Sequence, residues 1–275
     1  MSLLIDKKLN LEIISIVSNL SIKLKIKTFL VGGYVRDLLL DRKSKDIDIL
    51  VIGDGISFAN EVKKRLDFKV SLQIFKNFGT AMINYNGFNI EFVGSRKESY
   101  QKSSRNPVIT VGTFEDDISR RDFTINSIAI SLNEDDKGRI IDLFDGIQDL
   151  KKGIIKTPKD PKITFYDDPL RMMRAIRFAT QLNFKIENSN IKIIRSEKER
   201  IKIISMERIH EELNKILLSP KPSIGFLLLK STGLLEIIFP EIIKLEGIDE
   251  IEGKSHKDNF YHTLQVLDNI SKNTD

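Results

Sequence analysis

Residues 45–51 read KDIDILV, an apolar run of the kind that forms a buried strand, interrupted by two acids. Because successive side chains of a strand point to opposite faces, Asp46 and Asp48 share one face while Ile47 and Ile49 share the other. Aspartate is depleted in strands, and neighbouring carboxylates repel unless they share a proton or a cation lies between them. The stretch therefore predicts a strand with one face packed in the core and an acidic face that has a functional role. An edge strand with hydrated acids is the alternative.

A third acid lies in a second predicted strand. In FNIEFVG, residues 88–94, Glu91 is flanked by apolar residues in the same alternating manner. Carboxylate oxygens are the ligands that Mg²⁺ prefers. Three carboxylates on adjacent strands suit two divalent ions ~4 Å apart, one activating an attacking hydroxyl and the other neutralising a leaving phosphate. The sequence thus predicts a site for two Mg²⁺ ions, with Asp46 and Asp48 as metal ligands and Glu91 completing the cluster.

A glycine pair precedes these acids in the chain. Gly32 and Gly33 follow the apolar stretch TFLV and come directly before a helix predicted to begin near Tyr34. Glycines at such a point let backbone N–H groups approach a phosphate closely, and the helix N-terminus adds a favourable dipole. A glycine pair alone is weak, but together with two acids on the next strand it predicts a place where a nucleoside triphosphate meets its metal ions.

The remaining pattern divides the chain into a mixed α/β head and a helical remainder, an α+β fold. The head is predicted to contain helices at 9–26, 34–40 and 56–66 and strands at 28–31, 45–51, 68–75, 79–85 and 88–93. Residues 95–117 are polar and without a sustained period, which predicts a mobile loop, while 123–132 fits either a helix or a strand. Further helices are predicted at 168–182, 187–199, 205–218, 222–231 and 258–272. The predicted domains are 1–150, 151–230 and 231–275.

Composition restricts the chemistry. The chain has no cysteine and three histidines, which excludes disulfides and thiolate sites and disfavours a His-rich zinc cluster. No apolar run approaches the ~20 residues that span a bilayer, and the start does not read as a secretory signal, so a cytoplasmic protein without membrane contact is predicted. Residues 151–230 contain 18 Lys and Arg against 9 Asp and Glu. This excess suits a polyanion such as nucleic acid, with a solvated helical surface as the alternative.

Five segments, taken in order, resemble the nucleotidyltransferase superfamily that includes DNA polymerase β. More narrowly, they resemble the bacterial-type (class II) tRNA nucleotidyltransferases, or CCA-adding enzymes, and the related bacterial poly(A) polymerases. The segments are LVGGYVRDLLL with KDIDIL, RRDFTIN at 120–126, RIIDLFDGIQDLKKGIIKT at 139–157, DDPLRMMR at 167–174, and SMERIHEELNKIL at 205–217. Leu143 stands where the family usually has proline, and Asp167 replaces a glutamate. The resemblance implies a polymerase-β-like head with a mixed sheet, followed by all-helical neck and body domains.

The resemblance also implies a reaction and its residues. The reaction is template-independent addition of CCA to the 3′ end of tRNA from CTP and ATP, with release of pyrophosphate. Glu91 would help to activate the 3′-hydroxyl, and Arg121 and Asp122 would contact the ribose. The other nucleotide-binding residues implied are Gly32, Gly33 and Arg36 at the triphosphate, Asn126 in the second motif, and Asp168, Arg171 and Arg174 at the base.

The chemistry of Asp168 and Arg171 suits the base edge that cytosine and adenine share. A carboxylate only accepts and a guanidinium only donates, which complements an amino group beside an unprotonated ring nitrogen. Guanine and uracil present the reverse pattern and would leave partners unpaired. The two residues are predicted to lie on nearly one face of a helix that starts near Asp168, three positions apart.

Other roles remain open from sequence. The basic helices are predicted to bind the acceptor stem of tRNA through its shape and phosphates, with candidates Lys192, Arg195, Lys198, Arg200 and Lys202. Residues 256–270 resemble the opening helix of an HD-type phosphohydrolase domain, incomplete here, in which His262 is a possible ligand. The alternatives are a poly(A) polymerase, a CC-adding or A-adding enzyme, a catalytically silent RNA-binding protein and a transferase acting on a small molecule or protein; the 95–117 segment favours CCA or A addition. Oligomeric state stays undetermined.

Overall fold

A mixed β-sheet positions the predicted carboxylates. The structure is a computed structural model that describes residues 9, 11–66, 70–101, 104–247, 250–251, 254–255 and 258–273. By contacts the chain divides into two units, Met1–Ser99 with Pro107–Leu150, and Tyr100–Asn106 with Lys151–Asp275. The first unit holds the sheet and the second is mostly helical, so the predicted α+β fold is confirmed. The further predicted boundary at residue 230 stays a prediction.

Seven of the described strands pair into one sheet in the order β3-β4-β5-β2-β1-β8-β9. Neighbouring strands run antiparallel except β2 and β5, which are parallel. These strands are β1 Thr28–Val31, β2 Asp46–Val51, β3 Leu72–Phe75, β4 Thr80–Tyr85, β5 Phe88–Gly94, β8 Ile128–Ser131 and β9 Ile140–Asp142. Residues 123–132 therefore resolve into a short 3₁₀ turn, Thr124–Asn126, and a strand.

Helices pack against both faces of this sheet. Their bounds are α1 Glu12–Leu24, α2 Gly32–Leu39, α3 Gly55–Lys63, α4 Phe114–Ser119 and α5 Gly146–Lys152. Ile47 and Ile49 of β2 are fully buried in a core shared with α1, α2 and α3, and each such side chain contributes roughly 1.5–3 kcal/mol. Leu50 lies in a smaller cluster with Ile118 of α4 on the other face. The alternation along β2 thus turns its two acids away from the main core.

The second unit consists mainly of helices. Their bounds are α6 Pro161–Asp167, α7 Leu170–Leu182, α8 Asn188–Glu197, α9 Met206–Leu217, α10 Pro222–Thr232, α11 Leu235–Ile238, α12 Pro240–Ile243 and α13 Asn259–Asn273. The unit also contains short paired strands. They are β10 Ile154–Ile155 with β11 Lys185–Ile186, and β12 Glu250–Ile251 with β13 Lys254–Ser255. None of the helices in the described ranges has the length and apolar character needed to span a membrane.

Residues 95–117 differ from the prediction. Instead of an irregular loop they form β6 Arg96–Gln101 and β7 Ser104–Val111, paired as a sheet of their own, and the start of α4. The sequence of this segment is polar, lacks an apolar alternation and contains Pro107, so the strands could not be predicted from it. Helix α4 begins with a capping box between Thr113 and Asp116, a T-x-x-D signal that the sequence does carry.

Candidate active site

The three predicted carboxylates are brought to one face of the sheet. In the parallel pair of β2 and β5, Asp48 is in register with Glu91 and Asp46 with Asn89. Directly opposed residues of neighbouring strands point to the same side, so Glu91 lies next to Asp48. Asp48 and Glu91 are half-buried, whereas Asp46 is exposed and its Oδ1 accepts a hydrogen bond from Asn89 Nδ2 at 2.7 Å.

The surroundings of Asp48 disfavour the ionised form of its carboxyl group. Burial raises the pKa of this carboxyl to about 6, and the neighbouring charges of Glu91 and Asp46 push it in the same direction. The guanidinium groups of Arg121 and Arg36 act against this shift without cancelling it. A carboxylate whose ionisation is opposed by two other acids is stabilised by an added cation.

The chemical type of the donor groups fits a hard divalent cation. Carboxylate oxygens on neighbouring strands are Mg²⁺ ligands by type, and Asp48 lacks full neutralisation by protein cations. Over the described part of the chain, however, no three such side chains are already arranged to hold a metal ion. Binding would therefore require the carboxylate side chains to rearrange.

Gly32 makes the closest approach to this cluster. Its φ of +73° lies in the left-handed region, and a Cβ at this position would stand 2.6 Å from Asp48 Oδ2 and 3.2 Å from Arg121 Nη1. The helix α2 thus begins against the carboxylate and the guanidinium together. Gly33 has a Cβ position 3.6 Å from Arg36 Nη2, an ordinary contact.

Replacing Gly32 with alanine is expected to destabilise the protein by roughly 1–3 kcal/mol through backbone strain and displacement of Asp48. Chemical denaturation measures the loss. Gly79→Ala is the matched control, because Gly79 has a similar φ of +63° but nothing within 4 Å of its Cβ position. Equal losses in the two variants would contradict the close approach of Gly32 to Asp48.

Arg36, Asn126 and Asp122 form a buried hydrogen-bonded chain. Arg36 Nη1 donates to Asn126 Oδ1 at 2.9 Å, and Asn126 Nδ2 donates to Asp122 Oδ1 at 3.0 Å. The other side of the Arg36 guanidinium donates twice to Asp37, at 3.0 and 2.9 Å. Since its N–H groups are engaged in this way, Arg36 is placed to support the α2 segment from within the protein.

Sequence reasoning missed Asp117, which holds the two arginines of the second motif. Its fully buried carboxylate accepts from Arg120 Nε at 3.0 Å and from Arg121 Nη2 at 3.1 Å, with a further contact to Arg120 Nη2. Among the described residues, the buried Nε of Arg121 has no hydrogen-bond partner. Asp117 lies three residues before Arg120 and four residues before Arg121. On a helix this spacing brings an acid next to both arginines, so the contact could have been predicted from the sequence.

The base-edge pair lies in the second unit, and its local geometry corrects the prediction. Asp168 is extended, with φ −136° and ψ 98°, and α7 begins only at Leu170 after Pro169. Asp168 Oδ1 accepts from the backbone N–H of Leu170 at 3.1 Å, while its carbonyl accepts from Arg171 N–H at 3.0 Å. Asp168 therefore lies just before the helix that carries Arg171, and not on a face of that helix as predicted. Arg174 is inside α7, with its guanidinium 5.4 Å from the Phe178 ring.

The predicted RNA contacts have different surroundings. Arg200 is engaged within the protein: its guanidinium lies 3.7 Å from the Tyr166 ring centre and donates to the Tyr166 carbonyl. Arg195 donates to the Ser231 carbonyl at 2.9 Å, and Lys192 is exposed. The remaining two are paired with acids, Lys198 with Glu236 at 3.5 Å and Lys202 with Glu199 at 2.6 Å. His262 is exposed on α13.

Two family models match the chain. Residues 28–156 match the poly A polymerase head domain, and residues 183–245 match a probable RNA and SrmB-binding site of polymerase A. The first match contains the sheet with its three acids, and the second lies in the helical unit. The chain thus carries the poly A polymerase head domain followed by the RNA-binding region of that family, which confirms the resemblance stated from the sequence.

Individual relatives agree with this family. A CCA-adding enzyme of Lactobacillus helveticus is 40% identical over 241 residues, which are 87% of this chain and 55% of that protein. An A-adding tRNA nucleotidyltransferase of Aquifex aeolicus is 38% identical over 62% of this chain and 20% of its own length. A crystal structure of tRNA nucleotidyltransferase complexed with a primer tRNA and an incoming ATP analog has a TM-score of 0.72 and 30% identity, with coverage of 83% of this chain and 66% of that chain. The chain spans about half the length, or less, of these two curated relatives.

Proposed function

We propose that this protein adds CCA to the 3′ end of tRNA, using CTP and ATP and releasing pyrophosphate. The observation that carries the proposal is the register of Asp48 beside Glu91, with Asp46 on the same face and Gly32 against Asp48. The Lactobacillus relative is described as a CCA-adding enzyme, and a related solved structure contains a primer tRNA with an ATP analog.

Each residue of the cluster has a role in this proposal. The reaction joins the 3′-hydroxyl oxygen of the RNA to the α-phosphorus of the nucleotide and releases pyrophosphate. Asp46 and Asp48 would hold two Mg²⁺ ions, which when bound supply charge neutralisation at the attacking and leaving oxygens. Glu91 completes the acidic cluster and assists in activating the hydroxyl. Gly32 leaves room for a phosphate at the start of α2, where Arg36 supports the backbone from inside.

The second motif would hold the ribose. Arg121 has a buried Nε without a partner in the described chain, and an oxygen of a bound nucleotide would satisfy this donor. Asp122 is buried and oriented by Asn126, so a ribose hydroxyl is the contact assigned to its carboxylate. Asp168 and Arg171, with Arg174 nearby on α7, would hold the base edge of cytosine or adenine.

A second candidate function is A addition alone. It is favoured by the Aquifex relative, which is described as an A-adding tRNA nucleotidyltransferase. The residues of the acidic cluster are the same for both reactions, because only the accepted base and the number of additions differ.

Incubation with tRNA transcripts that end before CCA, or after CC, tests the proposal. CCA addition predicts two added residues with CTP alone on the shorter transcript and three with CTP and ATP. Extension only of the CC-ending transcript, by one A, would replace CCA addition with A addition, while a long A tail would identify a poly(A) polymerase. No extension of either transcript by this chain would contradict the proposed activity.

A further inference from the structure

A cavity lies in the first unit, apart from the acidic cluster. It has a volume of about 430 Å³ and is lined in part by Gly53 and Gly94, which lie at the carboxyl ends of β2 and β5. Asp46 and Asp48 lie at the other end of β2 and do not line it. The walls also include Val111 at the end of β7, so the cavity adjoins the base of the β6–β7 sheet.

Bare backbone forms one side of this cavity. A Cβ on Gly55 would stand 2.6 Å from Gly94 N, and a Cβ on Gly94 would stand 2.6 Å from Gly53 O. These segments therefore cross too closely for any side chain. Gly79, also in the wall, has open space at its Cβ position.

Ser95 provides a polar group that the described protein does not satisfy. Its side chain is 4% exposed, and its Oγ has no hydrogen-bond partner among the described residues. A buried hydroxyl left unpaired costs about 1–3 kcal/mol. Because Ser95 lines the cavity, a hydrogen-bonding ligand there would recover this free energy.

The charge of the cavity favours an anion. Lys76 and Arg96 both line it, and Arg96 Nη1 donates to the Phe78 carbonyl at 3.0 Å, which fixes the guanidinium at the wall. The single acid in the lining, Asp54, uses its carboxylate to cap α3 and to accept from Ser57 Oγ at 2.5 Å. The lining thus contains two cationic side chains and one carboxylate.

Phe78 adds an aromatic surface beside these cations. Its side chain is 63% exposed at the rim, and exposed aromatic rings next to positive charge are what nucleotide bases stack on. We infer that this cavity binds a nucleotide, with the phosphate at Lys76 and Arg96, a hydrogen bond to Ser95 and the base on Phe78. The nucleotide is either a free mononucleotide or a residue of single-stranded RNA, and the inference is independent of the proposed transfer activity.

Binding is measured without metal, so that metal-dependent nucleotide binding at the acidic cluster does not contribute, and the variants in the cavity lining assign the remaining binding. The full chain, kept in EDTA, is titrated with adenosine monophosphate and separately with a fluorescent six-residue oligoadenylate. Lys76→Glu is expected to weaken binding about tenfold or more, the equivalent of one charge-assisted phosphate contact. Ser95→Val and Phe78→Ala are expected to weaken it several-fold. Lys137→Glu, an exposed lysine outside the cavity lining, is the matched charge control.

The outcomes separate the two sources of the nucleotide. Lys76-dependent binding of both probes, with mutual competition, assigns a general nucleotide site, and binding of the oligonucleotide alone assigns an RNA residue. Binding that Lys76→Glu and Ser95→Val leave intact would overturn the inference, as would a lack of binding of both probes. A failed transfer assay alone would bear only on the proposed function.

Discussion

Replacing Asp48 with asparagine is expected to lower nucleotide transfer on the order of 10³-fold while making the metal-free protein more stable at pH 7.5. The first effect follows from removing a charged ligand at the reacting phosphate, where stabilisation of developing charge is a large part of catalysis. The second follows from the raised pKa of this carboxyl, because the folded protein holds an ionised Asp48 at a cost.

The sign of the pH effect is fixed by the direction of that pKa shift. The pKa of Asp48 rises from 3.8 to about 6 on folding. Between these values the folded state keeps a proton that the unfolded chain has lost, so the free energy of unfolding falls as pH rises. One unit of pKa shift corresponds to about 1.4 kcal/mol, so keeping Asp48 ionised in the folded state above pH 6 lowers the free energy of unfolding by about 3 kcal/mol. Asparagine carries no such charge, so its advantage over wild type should vanish near pH 4 and be complete above pH 7.

Thermal and urea unfolding in EDTA, from pH 4 to 8, measure this difference. Asp135→Asn, at an exposed turn position, is the control and is expected to show no comparable pH-dependent gain. Adding Mg²⁺ at pH 7.5 should stabilise the wild type and not Asp48→Asn, since a ligand stabilises only the state that binds it. If Mg²⁺ stabilised both proteins equally, Asp48 would not be a metal ligand.

The strand of Asp46 and Asp48 was predictable because its apolar alternation is local. Its partner register was not, since β2 and β5 are parallel strands separated by α3, β3 and β4, and their alignment depends on tertiary packing. The sequence therefore predicted that Glu91 joins Asp46 and Asp48, but not that Glu91 is in register with Asp48 and Asn89 with Asp46.

The start of the helix after Asp168 was signalled in the sequence, but the apolar periodicity led to a predicted start at Asp168. Pro169 disfavours helical backbone at the residue before it, and the structure accordingly leaves Asp168 extended and starts α7 at Leu170. The preceding helix also had a readable start, because Asp160 caps it and Pro161 occupies its first turn. Burial was the part without a local signal: the spacing in FEDDISRR relates Asp117 to the two arginines and Asp116 to the helix cap, but it does not show that Asp117 is fully buried.

Replacing Asp117 with asparagine is expected to cost about 3 kcal/mol of stability, because two arginines lose the charge of their shared buried partner. Urea unfolding at pH 7.5 measures this loss. Arg121 would also lose its orientation toward Asp48 and Gly32, and a misplaced group at the reacting centre costs transfer on the order of 10²-fold. The loss should fall on kcat more than on KM for the nucleotide when the fraction folded is held equal.

A role in positioning Arg121 has a signature that general destabilisation lacks. Arg121 lowers the pKa of Asp48, so a displaced Arg121 should move the pH-dependent loss of stability in metal-free protein to higher pH. Asp149→Asn is the matched control, because Asp149 is a buried acid of the same unit that accepts from the neutral Thr124 hydroxyl at 2.8 Å. It should destabilise the fold without moving that pH midpoint. An unchanged midpoint in Asp117→Asn would restrict Asp117 to stability, since Arg121 would then keep its place beside Asp48 without it.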